Sequence, residues 1–288
     1  MSERVSIVIV TFNNAVMLAN LLSDLRIQLR RPDEVFVIDN ASRDNTEKMV
    51  RIDYPEAVYV HLDENLGSAG GYHEGICRAS LSSEFIYTLD DDVRLDPYTL
   101  LEIIKGFHAL DQSMPGQIAA VRSVGARHSG AAPTPLEIVP WRGTLFKTAI
   151  VREVGTPSPE LFLYGEDLEY SLRFKQKGYK CYWIPSSRCV EASRYSEGKT
   201  CSAMFGRQHV YYREPFRLYY AFRNEMFIYI KYRYIFKIFR LLSYAVKVMS
   251  MLLVTERWAG WKMFRAVCRG LIDGSMGKLG KNRLYLPG

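Results

Sequence analysis

The first half of the chain alternates between two hydrophobic patterns. Apolar runs of strand length are followed by longer stretches with apolar residues three and four apart. Val5–Val10 is an apolar run of the kind a parallel strand buried on both faces requires, and Thr11-Phe12-Asn13-Asn14 is its exit loop. Ala15 to Leu29 carries a helical stripe of Leu18, Leu21, Leu22, Leu25 and Leu29, and Arg31-Pro32-Asp33 breaks it. The pattern predicts further strands at Val35–Ile38, Val58–Leu62 and Phe85–Leu89. It predicts helices at Asn45–Arg51, Gly67–Leu81 and Tyr98–Leu110. A βαβαβαβ order implies an α/β fold with a doubly wound, mostly parallel sheet flanked by helices. Such sheets take ligands outside the carboxyl ends of their strands. Asn13, Asp39, Asn65 to Gly71 and Asp90 to Asp92 all fall at strand exits.

Beyond residue 122 the signal is more mixed. Residues 123–137 read as a mobile loop, and Trp141 to Phe146 as an irregular region. Tyr164-Gly165-Glu166-Asp167 runs into a helix to about Lys177, with Gly178 suited to its C-terminal cap. Lys180–Ile184 reads as a last strand stopped by Pro185, and residues 193–206 as a flexible lid or hinge.

Charge divides the chain in two. Residues 1–206 hold 22 Lys/Arg against 27 Asp/Glu, and residues 207–288 hold 16 against 4, for a net charge of +7 over 288 residues. A basic segment rich in Tyr and Phe favours an anionic partner, a membrane or a nucleic acid. Its most apolar stretch, Leu241 to Val254, has 14 residues and includes Lys247. A spanning helix needs about 20 residues, so helices lying on a membrane surface are expected. Packing of the same faces on the catalytic domain or on a second subunit is the competing reading. No recognised nucleic-acid motif is present, and no nucleic-acid partner is expected. Met1-Ser2-Glu3-Arg4 leads straight into a strand, without a signal-peptide core. Five cysteines without a CxxC pair suit a reducing cytoplasm.

The candidate chemistry begins with Asp90-Asp91-Asp92. Three adjacent carboxylates repel one another unless a cation or strong donors share the site. Mg²⁺ typically combines one or two carboxylates with substrate phosphates. The triplet reads as a metal–diphosphate site or as a solvated acidic turn. Asn65-Leu66-Gly67-Ser68-Ala69-Gly70-Gly71 precedes a helix, where glycines let backbone N–H groups approach phosphate. It is neither a GxGxxG fingerprint nor a Walker A, and a structural turn remains the alternative. Asp39 could accept a hydrogen bond from ribose or base, or cap its own loop. Glu166-Asp167 could supply a general base or complement the helix dipole. The five histidines show no metal-ligand spacing.

In this order the motifs resemble family 2 inverting glycosyltransferases of the GT-A fold. The Asn-Leu-Gly-x-Ala-Gly-Gly element with the Asp triplet is most similar to the rhamnosyl- and galactofuranosyltransferase branch. Tyr219-Tyr220-Ala221-Phe222-Arg223-Asn224 also resembles a segment of that branch. The resemblance covers roughly residues 5–225. It implies a GT-A catalytic domain at 1–206, with a nucleotide-sugar half at 1–122 and an acceptor half at 123–206. Residues 207–288 follow as a helical segment that associates with membrane or oligomerises. It implies that Thr11, Asn13 and Asp39 hold the nucleoside. Asn65, Gly70 and Gly71 then lie near the donor, and Asp91 near ribose or metal. Asp90 and Asp92 meet a Mn or Mg ion on the diphosphate. Asp167 is the base, with Glu166 beside it. Where the branch often carries a metal-binding His, this chain has Glu191, a departure that leaves the ligand set open. The implied reaction moves galactofuranose or rhamnose from a UDP- or dTDP-sugar to a glycan or polyprenyl-linked acceptor. The implied location is the cytoplasmic face of the membrane, in bacterial surface polysaccharide synthesis. A sugar-phosphate nucleotidyltransferase and an inactive membrane-bound scaffold are the alternatives. The first lacks its Gly-rich, Lys/Arg-bearing N-terminal loop here.

Overall fold

The computed structural model describes residues 3–125, 132–192, 200–203, 206–209, 214–255 and 257–286. The elements run β1 (Val5–Thr11), α1 (Ala15–Arg26), β2 (Glu34–Asp39), α2 (Thr46–Asp53), β3 (Val58–His61), α3 (Gly67–Ala79) and β4 (Phe85–Asp90). Next come β5 (Val93–Leu95), α4 (Thr99–Ser113), β6 (Ile118–Val124), β7 (Thr134–Pro135), β8 (Thr144–Lys147) and α5 (Thr148–Val154). A 3₁₀ turn at Pro159–Leu161 precedes α6 (Glu166–Gln176) and β9 (Lys180–Glu191). The chain ends with β10 (Thr200–Ala203), β11 (Gly206–His209), α7 (Pro215–Lys231), α8 (Ile235–Thr255) and α9 (Arg257–Ser275).

The contacts divide the chain into two compact units. One is residues 1–158 with 167–193; the other is 159–166 with 194–288. The segment before Asp167 thus belongs with the C-terminal helices.

In the first unit the sheet order is β3-β2-β1-β4-β8-β6-β9-β5, with β7 on β9. β3, β2, β1 and β4 are parallel neighbours, as the alternating pattern predicts. β8 runs antiparallel to both β4 and β6, and β6 is parallel to β9. The apolar run of β1 is used on both faces. Ile7 and Ile9 pack with Leu18, Leu21 and Leu25 of α1 and Ile103 and Phe107 of α4. Val8 packs with Tyr72 and Ile76 of α3 and Phe174 of α6. Each such side chain, fully buried, contributes about 1.5–3 kcal/mol.

Several expectations are corrected beyond β4. The expected loop at 123–137 contains the end of β6 and the strand β7; residues 126–131 lie outside the described residues. Strand β9 does not stop at Pro185 but continues to Glu191. Proline is tolerated because the β6–β9 register shifts there, from Ser123↔Ile184 to Val124↔Arg188. Most of the expected lid at 193–206 lies outside the described residues; Thr200–Ala203 pairs with Gly206–His209. Gly178, at φ 82°, closes α6 as expected.

In the second unit α7, α8 and α9 pack together. A Cβ on Gly270 would lie 2.6 Å from the Tyr219 carbonyl oxygen, and one on Gly274 still nearer the Arg223 carbonyl oxygen. Only glycine allows α9 that close to α7. Arg223 and Asn224 are both fully buried in this unit. The Asn224 amide donates to the carbonyls of Leu161, Leu163 and Tyr164, at 2.8, 2.9 and 2.6 Å. Arg223 Nη2 also reaches the Leu161 carbonyl, at 2.8 Å. These bonds hold a segment with Phe162, Tyr164 and Gly165 all at positive φ, a backbone form that non-glycine residues adopt only when their surroundings enforce it.

Candidate active site

The carboxyl ends of β1, β2, β4 and β6 form one rim of the first unit, and side chains tie its loops together. Asn13, at φ 51°, accepts from the Arg43 amide at 2.7 Å, and its own amide donates to Ser42 Oγ at 2.8 Å. Asn40 accepts from the Leu66 amide and donates to the Gly67 carbonyl, each at 2.8 Å. The β1, β2 and β3 exits are thus cross-braced. Asn65 caps the next turn, its Oδ1 accepting from the Gly67 amide at 2.8 Å.

Asp39 is fully buried. One oxygen accepts from the Ser42 amide at 2.9 Å, the other from the Tyr59 hydroxyl, with His61 Nδ1 3.4 Å away. The Ser42 bond is the loop cap that the sequence offered as one of its two readings. Gly70 and Gly71 are buried as well. A Cβ on Gly70 would meet Leu66 Cβ, and one on Gly71 would stand 2.5 Å from Val10 Cγ1. Both glycines let α3 lie close to β1 and its entry loop.

The Asp triplet is different in kind. Asp90 is desolvated, and burial pushes its carboxyl up, aided by the Asp92 charge. The Tyr72 hydroxyl donates to Asp90 Oδ1 at 2.6 Å and, with Arg142 and Arg122, opposes that rise. Asp91 is pushed up to about 6 by burial, and the charges of Asp92 and Asp90 add to this. Thr11 Oγ1 and Asn14 Nδ2 donate to it at 2.7 and 2.9 Å and pull the other way. Thr11 therefore acts here through Asp91.

Asp167 begins the α6 segment of this unit. Its Oδ1 accepts from the Leu168 amide at 2.7 Å. Burial raises its proton affinity, while the Arg122 charge lowers it. Glu166 is buried, at 4% exposure. Glu191 stands opposite Val93 across the β5–β9 ladder, and the Ala192 amide donates to the Asp92 carbonyl at 2.8 Å. The Glu191 carboxylate pairs with Arg142 Nη1 at 2.6 Å.

Two arginines were not among the sequence candidates. Arg142 enters the rim through the turn at Gly143, where φ is +70° and a Cβ would lie 3.0 Å from Cys189 Cβ. Arg122 is a lone cation in the buried strand Ile118–Val124, at 8% exposure. A charge inside an apolar strand run, two residues before the strand exit, was the available signal.

Among the described residues no three His, Cys, Asp or Glu side chains form a ready-made metal cage. Asp90 and Asp92 are hard oxygen donors at the exit of β4. That set fits a Mg or Mn ion whose shell is completed by substrate oxygens.

The mixed sheet with this rim is of the GT-A type, and solved structures share the fold. A mannosyltransferase from Pyrobaculum calidifontis, solved with GDP-Man and Mn²⁺, superposes with a TM-score of 0.57 at 17% identity, covering 96% of this chain and 78% of that one. Staphylococcus aureus TarS gives a TM-score of 0.52 at 17% identity over 67% of this chain, which spans 37% of the TarS chain. The sequence matches the model of glycosyl transferase family 2 over residues 6–158 and that of glycosyl transferase family group 2 over residues 114–268. The chain belongs to glycosyl transferase family 2. It is similar to the galactofuranosyltransferase GlfT1 of Mycolicibacterium smegmatis, with 24% identity over 79% of this chain and 83% of the relative.

Proposed function

We propose that the protein moves a sugar, galactofuranose or rhamnose, from a UDP- or dTDP-linked donor to a hydroxyl of a glycan or polyprenyl-linked acceptor, with inversion, in bacterial surface polysaccharide synthesis. The observation that carries this reading is the placement of the Asp90–Asp92 triplet and of Asp167 in one unit, with a buried guanidinium acting on both Asp90 and Asp167. The similarity to a galactofuranosyltransferase supports the choice of sugars. Asp90 and Asp92 hold a divalent ion on the donor diphosphate, which supplies positive charge to the leaving group. Asp167, made more basic by burial, takes the acceptor proton as the acceptor oxygen attacks the anomeric carbon. The bond from that carbon to the diphosphate oxygen breaks, and its electron pair leaves with the diphosphate. Asp91, set by Thr11 and Asn14, lies beside the ribose. A thermal-shift panel with Mn²⁺ tests the reading. Stabilisation by UDP and UDP-galactofuranose assigns a galactofuranosyltransferase, and stabilisation by dTDP-rhamnose a rhamnosyltransferase. No shift with UDP, dTDP, GDP or their sugars overturns the assignment.

The second unit supports docking on the inner face of the membrane. Among the described residues no helix is long and apolar enough to cross one. Helix α8 instead exposes Ile235, Phe239, Leu242 and Val246 along one stripe, with Phe236 91% exposed beside it. Exposed Lys231, Arg233, Arg240 and Lys247 accompany the stripe, a pairing suited to anionic headgroups. The double variant Phe236→Glu/Phe239→Glu of the full chain is expected to lose flotation with anionic vesicles. Undiminished flotation removes the membrane proposal.

A further inference from the structure

Among the described residues, the other buried arginine, Arg223, and the half-buried Arg173 are saturated. Arg223 donates to Asn224 Oδ1, the Gly280 carbonyl and the Leu161 carbonyl. Arg173 grips Glu169 in a bidentate pair and reaches the Thr156 carbonyl. Arg122 is the exception. Its Nε donates to the Arg142 carbonyl at 3.0 Å, and its guanidinium carbon stands 4.4 Å from the centre of the Trp183 ring. Among the described residues neither terminal amine has a hydrogen-bond partner, and no carboxylate forms a salt bridge with it. Burying a guanidinium in this state is costly. Burial, together with the neighbouring Arg142 charge, lowers its proton affinity to about 10.

The surroundings say which ligand would relieve that cost. A guanidinium seated on an aromatic face still donates in its own plane, as a fork that matches phosphate oxygens. The Nε bond fixes the rotation of that fork. Arg142 adds a second cation, and both act on Asp90. Arg122 also acts on Asp167. Its charge is thus felt by both the proposed metal-binding carboxylate and the proposed base.

We propose that Arg122, backed by Arg142, is a further catalytic residue that binds the donor diphosphate and receives its developing charge as the sugar leaves. The proposal rests on the nucleotide-sugar reading of the rim. When the carbon–oxygen bond breaks, the electron pair stays on the diphosphate oxygen. The Arg122 amines donate to the diphosphate without giving up a proton. Preorganised donors in a water-poor site stabilise such charge well.

Calorimetry on the full chain tests this. UDP, dTDP and GDP are titrated with and without Mn²⁺, beside uridine, thymidine and guanosine. In Arg122→Gln, the nucleoside diphosphate that binds the unaltered protein is expected to bind about 10- to 100-fold more weakly, with nucleoside affinity unchanged. Diphosphate affinity within twofold overturns the proposal, including the case where only the acceptor KM rises. Equal losses for diphosphate and nucleoside also overturn it, because they report a damaged fold. Where the Gln variant does not fold, Arg122→Lys and the less buried Arg142→Gln decide. Each is expected to cost the diphosphate, and not the nucleoside, at least about threefold, and no selective loss in either overturns the proposal. If no nucleoside diphosphate binds the unaltered protein, the functional reading itself fails, whatever the Arg122 variants do.

Discussion

At the β2 end of the rim, Asp39 commits both carboxylate oxygens to its own scaffold, through Ser42, Tyr59 and His61. At the β4–β6 end, Asp90, Asp91, Asp167 and Arg122 hold ionisable groups whose charged forms burial opposes. The two ends share one sheet, although Asp39 is fully buried and Asp90, Asp91 and Asp167 are partly exposed. They differ in whether the protein itself completes the polar shell. Satisfied buried groups rigidify a fold. Incompletely compensated ones are functional-site candidates, because a ligand can supply what the chain withholds.

The largest expected effect separates the two ends outright. Asp167→Asn should lower transfer by at least about 10³-fold, the upper range of general-base contributions, while donor affinity measured by calorimetry stays within about threefold. Burial raises the Asp167 proton affinity in the folded state. Stability is therefore lost as pH rises through the folded value, and the Asn variant escapes that loss. Its Tm at neutral pH should equal or exceed that of the parent. The acid limb of kcat/KM should lie above the ordinary aspartate range and move higher in Arg122→Gln, since that guanidinium favours the carboxylate. Near-normal turnover in the Asn variant would remove Asp167 as the base.

An intermediate effect is expected at the triplet. Asp92→Ala should weaken nucleoside diphosphate binding in Mn²⁺ by about 10-fold or more, and far less in its absence. Equal losses in both conditions would deny Asp92 a place on the ion. The smallest effect belongs to the scaffold end. Asp39→Asn should cost about 1–2 kcal/mol of stability in denaturant unfolding, with nucleotide affinity changed by less than about threefold. A tenfold loss of affinity would instead give Asp39 a direct role in holding ribose or base and erase the contrast between the two ends.

Legibility followed the range of the signal. The strands β1 to β4 and helices α1, α3, α4 and α6 were readable because each carries its own period over several residues. β5 and β7 have only 3 and 2 residues, too few to show a period. Pro185 misled because its tolerance depends on a register shift against β6, a fact about another strand. The Asp triplet and Glu166-Asp167 were legible as unusual local chemistry. Asp39, Gly70 and Gly71 fitted donor-site motifs, and their close contacts with the scaffold were not legible because those partners are set by the fold. Arg122 passed unnoticed because its lack of a salt-bridge partner among the described residues exists only in three dimensions.

The order of apolar runs and polar exits, read alone, determined the α/β class, the ligand-bearing rim and the basic character of the C-terminal helices, because periodicity and composition are local properties. Tertiary structure decided which polar groups are saturated and which are left charged and uncompensated. It also decided that the strained segment before Asp167 is held by Arg223 and Asn224 of α7. Desolvation and hydrogen-bond satisfaction depend on residues distant in the chain, and no local pattern encodes them.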